Sequence, residues 1–316
     1  MIKLGEKDVK IVEKHINNEK KLIISHISDI DGMGSVVLGF LAFKKIDYCL
    51  IEIKEQTEML EFIKNSNYEQ IYICDLGLED KIGDEINGLN KNILLFDHHK
   101  SNMYVSKYDW ATVEVTLNNR LTSGTELFYD YLVKEELLKP NQATTEFVEL
   151  IRSFDTWDWN RTNNTRANDL TSLFTMLGTT EFINYFVTNL PILESFEYSQ
   201  EHQFLINLRE KEINELKQVC NQSVIKIMFE DLIAGVVFCD RHSSNIGNYL
   251  CQNQEIDFAM IVNLLENRVS LRSEGEIDVG VIAKKYGGGG HKNAAGFSLT
   301  NNDKKTILKL IIDNIN

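Results

Sequence analysis

Leu22-Ile23-Ile24-Ser25-His26-Ile27-Ser28-Asp29-Ile30-Asp31-Gly32 is an apolar run that stops in a histidine-bearing acidic cluster. The run reads as a strand, and Ser35 to Phe43 reads as a buried helix starting just after Gly32, its amino end towards the acids. Asp29 and Asp31 are two apart beyond a strand, so both reach the same pole only if the backbone turns there, and Gly32 suits such a turn. The same grammar recurs twice. Ile71-Tyr72-Ile73 runs into Cys74-Asp75, and Ile93-Leu94-Leu95-Phe96 runs into Asp97-His98-His99. Tyr48 to Ile53 supplies a further strand. Strands alternating with helical patterns predict βαβ units and a mainly parallel sheet. Ligands of open α/β sheets collect at the carboxyl ends of the strands, so these separated clusters are expected to converge on one crevice.

Further along, Thr122 to Lys134 and Thr145 to Phe154 read as helices; in the second, Phe147, Leu150, Ile151 and Phe154 mark one buried face, with Asp155 immediately after it. Residues from about Glu181 to Gln222 read as all-helical, and Glu197 to Gln218 as a connecting helix with a solvated charged face. A second α/β pattern follows: strands at Val224 to Phe229, Ile233 to Phe238, Phe258 to Leu264, Val269 to Leu271 and Ala295 to Leu299, with helices near Asn245 to Cys251 and Asp278 to Tyr286. The glycine run Gly287 to Gly290, continuing as His291-Lys292-Asn293-Ala294-Ala295-Gly296-Phe297, reads as a loop whose main-chain N–H groups can approach an anion. The fold expected is α/β: a mainly parallel catalytic domain at 1–190, a helical linker at 191–222 and a smaller α/β domain at 223–316.

The 316 residues are 43% hydrophobic and carry a formal charge of −14. That length and composition suit two folded domains. The negative charge disfavours long duplex nucleic acid, whose binding relies on many Lys and Arg contacts to phosphate. Five widely spaced cysteines without a CxxC pair read as reduced core residues of a cytoplasmic protein. Met1 to Lys20 has no apolar secretory core, and no segment approaches the ~20 apolar residues of a membrane span.

If Asp29, Asp31, Asp75 and Asp155 converge, each close pair repels by roughly 4 kcal/mol at ~4 Å and an effective dielectric near 20. Divalent cations remove that cost. Mixed Asp and His donors suit Mn²⁺, with Mg²⁺, Co²⁺ or Fe²⁺ open from ligand type alone. Two such ions sharing a water lower its pKa and stabilise the attacking and leaving oxygens at phosphorus, the chemistry of a phosphoesterase. Asp158 competes with Asp155 for the fourth position. Trp157 and Trp159 read either as packing or as a surface for a base, and Asp240 to Asn245 as lining a cleft or capping the following helix.

Together, His26 with Asp29-Ile30-Asp31-Gly32, Asp75, Asp97-His98-His99, Phe154 to Trp159 and Gly287 to Phe297 resemble the motifs of the DHH/DHHA1 phosphoesterases, along most of the chain. Arg120 to Thr125 with Phe128-Tyr129 looks most like the oligoribonuclease B branch, which degrades very short RNAs. The resemblance implies that His26, Asp29 and Asp75 hold one Mn²⁺ and that Asp31, Asp75, His98 and Asp155 hold the other. It further implies that His99 faces the scissile phosphate, that Asp97 fixes an imidazole tautomer, and that Arg272, Gly289, Gly290 and His291 bind the substrate end.

The expected activity is metal-dependent hydrolysis of short single-stranded RNA or dinucleotides to mononucleotides, in a cytoplasmic protein compatible with a homodimer. Alternatives are a nucleoside 3′,5′-bisphosphate phosphatase, a phosphodiesterase of linear dinucleotides derived from cyclic messengers, an inorganic phosphoanhydride hydrolase, and a nucleotide sensor without turnover. The glycine-rich pocket argues against a pure pyrophosphatase, and retention of every expected metal position argues against a dead sensor.

Overall fold

A computed structural model describes residues 13–27 and 29–313. The first twelve residues of the Met1 to Lys20 stretch, and Ser28 of the first motif, lie outside them. The chain divides into two compact units, Met1–Ile206 and Asn207–Asn316.

The first unit carries strands β1 (Glu13–His15), β2 (Lys21–His26), β3 (Asp47–Ile51), β4 (Gln70–Cys74), β5 (Ile93–Asp97) and β6 (Ala111–Val113) in one sheet of order β1-β3-β2-β4-β5-β6. All pairs from β3 to β6 are parallel, and β1 adds antiparallel to β3. A two-stranded ribbon, β7 (Thr116–Leu117) and β8 (Arg120–Leu121), follows. The helices are α1 (Ile30–Phe43), α2 (Gln56–Asn65), α3 (Asp80–Asn87), α4 (Gly124–Lys134), α5 (Gln142–Asp155), α6 (Asp158–Thr162), α7 (Thr165–Asn189) and α8 (Gln200–Ser223), the last reaching into the second unit.

Alternation along β2 explains why its sequence is continuously apolar. Ile23 packs into the core that includes Val36, Phe128 and Phe147 on one face, while Leu22 and Ile24 join Met59, Ile63 and Ile82 on the other. A strand buried on both faces needs apolar side chains at every position, each contributing about 1.5–3 kcal/mol of burial. From β2 the chain passes to β3 on one side, then crosses back to β4 on the other. The carboxyl ends of β2 and β4 therefore flank the topological switch point, where a crevice opens.

The second unit holds β9 (Ile225–Phe229), β10 (Leu232–Phe238), β11 (Phe258–Asn263), β12 (Arg268–Ser273), β13 (Gly289–His291) and β14 (Ala294–Ser298) in the order β13-β14-β12-β11-β10-β9. Helices α9 (Ser243–Asn253), α10 (Val279–Lys285) and α11 (Asn301–Asp313) complete it. Only the β10–β11 pair is parallel.

The structure departs from the sequence reading in several places. Helix α1 begins at Ile30, so Asp31 and Gly32 sit inside its first turn, because Asp29 caps it by accepting from the Gly32 N–H at 3.0 Å. The glycine run is a loop only in part: Gly289 to His291 form an edge strand paired to β14. The helical stretch starts earlier, at Thr165, bends at Gly178 (φ 73°) and breaks before α8, in the segment containing Pro191. Strands β1 and β6 carry too few residues to announce themselves.

Gly32 is required by close approach: a Cβ there would lie 2.0 Å from the His26 carbonyl oxygen. Gly32→Ala is expected to destabilise the protein by about 1–3 kcal/mol, read as a lower urea midpoint at unchanged slope. An unchanged midpoint would show that the β2–α1 corner relaxes freely.

Candidate metal centre and substrate cavity

Four carboxylates and three imidazoles reach the switch point from five places in the chain. Asp29 follows β2, Asp31 lies in the first turn of α1, Asp75 follows β4, His98 and His99 follow β5, and Asp155 ends α5. His26 closes β2 and bonds Asp29 through Nδ1 at 2.7 Å. His98 Nε2 stands 3.4 Å from Asp155 Oδ2, 3.5 Å from Asp75 Oδ1 and 3.8 Å from Asp31 Oδ2. Three overlapping groups place their ligand atoms within 4.8 Å of one another: His26, Asp29 and Asp75; Asp31, His98 and Asp155; and Asp75, His98 and His99.

Local structure explains how buried acids are held together. Asp75 sits at φ 50°, a left-handed conformation that lifts its side chain out of the strand direction. Gly124 permits this, since a Cβ there would meet the Asp75 Cβ at 2.8 Å. Asp31 accepts from the Gly124 N–H at 2.7 Å and the Thr125 N–H at 2.9 Å, so a fully buried carboxylate faces the amino end of α4. Ser123 caps that same helix by accepting from the Glu126 N–H.

Arg152 lies one turn before Asp155 and is nearly fully buried. Its guanidinium donates to Glu149, to Asp158 at 2.8 Å, to Thr156 Oγ1 at 3.3 Å and to the Leu121 carbonyl. Asp158 is thereby held by Arg152 and Arg161, and Asp155 is the residue that enters the cluster. Trp159 stacks on Phe154 against the core, whereas Trp157, at φ 60°, stacks on Trp159 and stays 59% exposed.

His99 bonds Asp97 at 2.8 Å, and Asp97 accepts from Asn102 Nδ2 at 2.7 Å. The Asp97 bond pushes the His99 imidazole up to about 9. Burial, then the charges of Asp29 and Asp31, push the Asp75 carboxyl well above the usual carboxylate range. Burial, then Asp31 and Asp29, push Asp155 up to about 8. Burial acts in the same direction on Asp29, but the His26 bond and charge hold it below its ordinary value.

The donor set fits divalent cations. Asp75 Oδ2, His98 Nε2 and Asp155 Oδ2 are buried without a hydrogen-bond partner, a costly arrangement for polar atoms unless something binds them. The contacts of His98 Nε2 at 3.4–3.8 Å form no hydrogen bond. They fall between the ~3.0 Å and ~4.2 Å separations of adjacent and opposite ligands about an octahedral ion with bonds of ~2.1 Å.

In the second unit, Arg272, Gly289 and Gly290 line a cavity of about 420 Å³, while His291 is exposed on β13 outside its lining. Arg272 donates Nη2 to Ser244 Oγ at 2.6 Å and Nη1 to the Leu271 carbonyl at 2.8 Å, so part of its fork is spent on positioning. Sequence reasoning missed Asn102 and Arg152 as supporting residues, and it named Gly124, Thr125 and Ser244 only within their motifs, without their contacts to Asp31 and Arg272. Asn102, three residues past His99, carries a local signal. The contact of Asp31 with residues more than ninety positions away carries none.

The described cysteines form no disulfide, and Cys49, Cys74, Cys220 and Cys239 are buried. Among the described residues no helix is long and apolar enough to cross a membrane.

Comparison with known proteins places this geometry. Residues 20–153 match the amino-terminal domain of the DHH family and residues 213–316 match the DHHA1 domain. The chain is 32% identical to Oligoribonuclease NrnB of Bacillus subtilis over 88% of this chain and 72% of that protein. It is 25% identical to a 3′,5′-cyclic-nucleotide phosphodiesterase of Helicobacter pylori over 86% of this chain and 91% of that one. In three dimensions it resembles a pGpG-specific phosphodiesterase, PggH, from a Vibrio species, with a TM-score of 0.53 at 15% identity over 94% of this chain and 99% of that one.

Two outcomes follow for the cation-free protein. Its melting temperature is expected to fall as pH rises from the ordinary carboxyl value of 3.8 to about 8, because Asp155 and Asp75 stay protonated in the fold and ionise freely when unfolded. His99 acts in the same sense: its contribution is full below 6.5 and lost as pH rises through about 9. Stabilisation by added divalent cation should grow over the same range. Asp75→Asn should raise the melting temperature of the cation-free protein while abolishing that stabilisation; a lower melting temperature without cation would mean that Asp75 is held by bonds, not strained by charge.

Proposed function

The chain belongs to the DHH/DHHA1 family of metal-dependent phosphoesterases, and from that premise we propose that it hydrolyses very short RNAs and dinucleotides to mononucleotides. The observation carrying this reading is the convergence of Asp29, Asp31, Asp75 and Asp155 with His26 and His98 at the switch point, in overlapping groups that share Asp75 and His98. The relative from Bacillus subtilis, named as an oligoribonuclease and similar along most of both chains, supports the choice of substrate.

In this reading His26, Asp29 and Asp75 hold one Mn²⁺, and Asp31, Asp75, His98 and Asp155 hold a second. When bound, the ions supply positive charge for the phosphate oxygens and lower the pKa of water. The protein's own groups do the rest. Asp75, between the two sets, fixes their spacing. Asp97, steadied by Asn102, orients the His99 ring and favours its charged form, and the free edge of that ring donates to a non-bridging phosphate oxygen. In the second unit, the free part of the Arg272 fork and the Gly289-Gly290 backbone grip the substrate end, with His291 beside them. The amino-terminal part to about residue 190 is thus the catalytic domain and the part from about 223 the substrate-binding one. Residence in the cytoplasm and assembly as a homodimer belong to the same proposal.

Purified protein with Mn²⁺ is to be incubated with labelled RNAs of two to about twenty nucleotides, alongside bisphosphate nucleotide and pyrophosphate. Mononucleotide release mainly from the shortest RNAs is expected; phosphate release from the bisphosphate alone would overturn the assignment. Asp97→Asn should lower kcat/KM about 10–100-fold with the fold intact, since it removes support for His99 and leaves the proposed metal ligands in place.

A further inference from the structure

A second cavity, of about 350 Å³, opens directly beside the acidic cluster and shares His26, Asp29, Asp75 and His99 with it. Its remaining walls include Ile53, Leu78, Glu79, Asp80 and Ser101. We propose that this cavity receives one terminal nucleoside of the substrate, and that Glu79 and Asp80 bar any phosphate beyond it. The inference rests on the phosphodiesterase reading above and adds to it which chain ends are accepted.

Size sets the first limit. The volume lies near the lower end of the ~300–1,000 Å³ typical of ligand pockets, room for a single nucleoside. Chemistry sets the second. Ile53, 52% exposed just after β3, offers an apolar surface to a base or ribose, with buried Leu78 beside it. Covering such surface favours an uncharged ring system.

The wall is also built to keep its shape. Gln56 donates Nε2 to the Gly77 carbonyl at 2.9 Å and accepts from the Glu79 N–H at 2.8 Å, while Asn102 Oδ1 accepts from the Leu78 N–H at 3.0 Å. Both ends of one buried amide and one end of another are thus committed to the 77–79 backbone, so the pocket needs little ordering when a ligand enters.

Charge supplies the selectivity. Phosphate sites are made from Arg, Lys or clustered N–H donors, yet no Lys or Arg lines this cavity, and the His99 imidazole on its wall is already bonded to Asp97 and assigned to the scissile phosphate. Glu79 holds the N-cap position of α3 with no side-chain bond to the helix, Asp80 is the first residue of that helix, and both are exposed with no ion pair among the described residues. Cations bound by the central cluster would neutralise Asp29 and Asp75 and leave Glu79 and Asp80, offset only by the amino end of α3, as the net negative charge of this wall. A terminal hydroxyl is accepted there. A terminal phosphate, or a chain continuing through the cavity, meets like charge.

The test uses the full chain with Mn²⁺ and a diadenylate set: the parent, the parent with an added 3′-terminal phosphate, and the parent with an added 5′-terminal phosphate. One of the two additions is expected to lower kcat/KM at least about tenfold, and the Glu79→Gln/Asp80→Asn double variant should shrink that penalty to within about threefold. Glu79→Lys, should the double variant fail to fold, is expected to convert the penalty into a preference for the same phosphorylated end. Equal turnover of all three substrates, or a penalty unchanged by these substitutions, would overturn the proposal. No turnover of any dinucleotide would remove the phosphodiesterase reading itself, a distinct result.

Discussion

Mutual repulsion among buried carboxylates is the constraint on which the first unit turns. Asp31 and Asp75 are almost wholly inaccessible, and Asp29 and Asp155 lie against them. A fold that only needed stability would replace these residues with apolar ones. Their presence, with three buried polar atoms left unbonded, identifies a site made for positive charge from outside the chain.

The scaffold tolerates this strain because each acid is held by backbone that cannot easily move. Asp31 is clamped by the first N–H groups of α4, Asp29 caps α1, and Gly32 and Gly124 let two helix starts press against β2 and Asp75. At the end of α5, Arg152 holds Asp158, and Asp155 is the acid that reaches the cluster. Removing charge from the cluster and removing backbone support from it are therefore expected to act in opposite directions on stability.

Much of this was legible in the sequence. Strand ends followed by Asp or His announced the sheet, its polarity and the crevice, because period-two burial on both faces leaves continuous apolar runs that stop abruptly at the pole. Asp155 was visible from the buried face of α5, but its priority over Asp158 was not: that depends on Arg152 drawing Asp158 away. The start of α1 was read too late because Gly32 looked like a turn residue, whereas it is a helical residue packed on a carbonyl. The strand Gly289–His291 was hidden by a composition that usually means a loop, and the partners of Asp31 by a separation in sequence that no local pattern spans. Ile53 looked like an ordinary apolar residue at the end of a strand, and Leu78 drew no reading, since nothing in sequence distinguishes a core side chain from a cavity wall.

The most direct measurement is anomalous diffraction from crystals grown with Mn²⁺. Two peaks are expected, one among His26, Asp29 and Asp75 and one among Asp31, Asp75, His98 and Asp155, with Asp75 touching both. Peaks elsewhere, or full-occupancy manganese in solution with none bound at these carboxylates, would contradict a paired-cation centre.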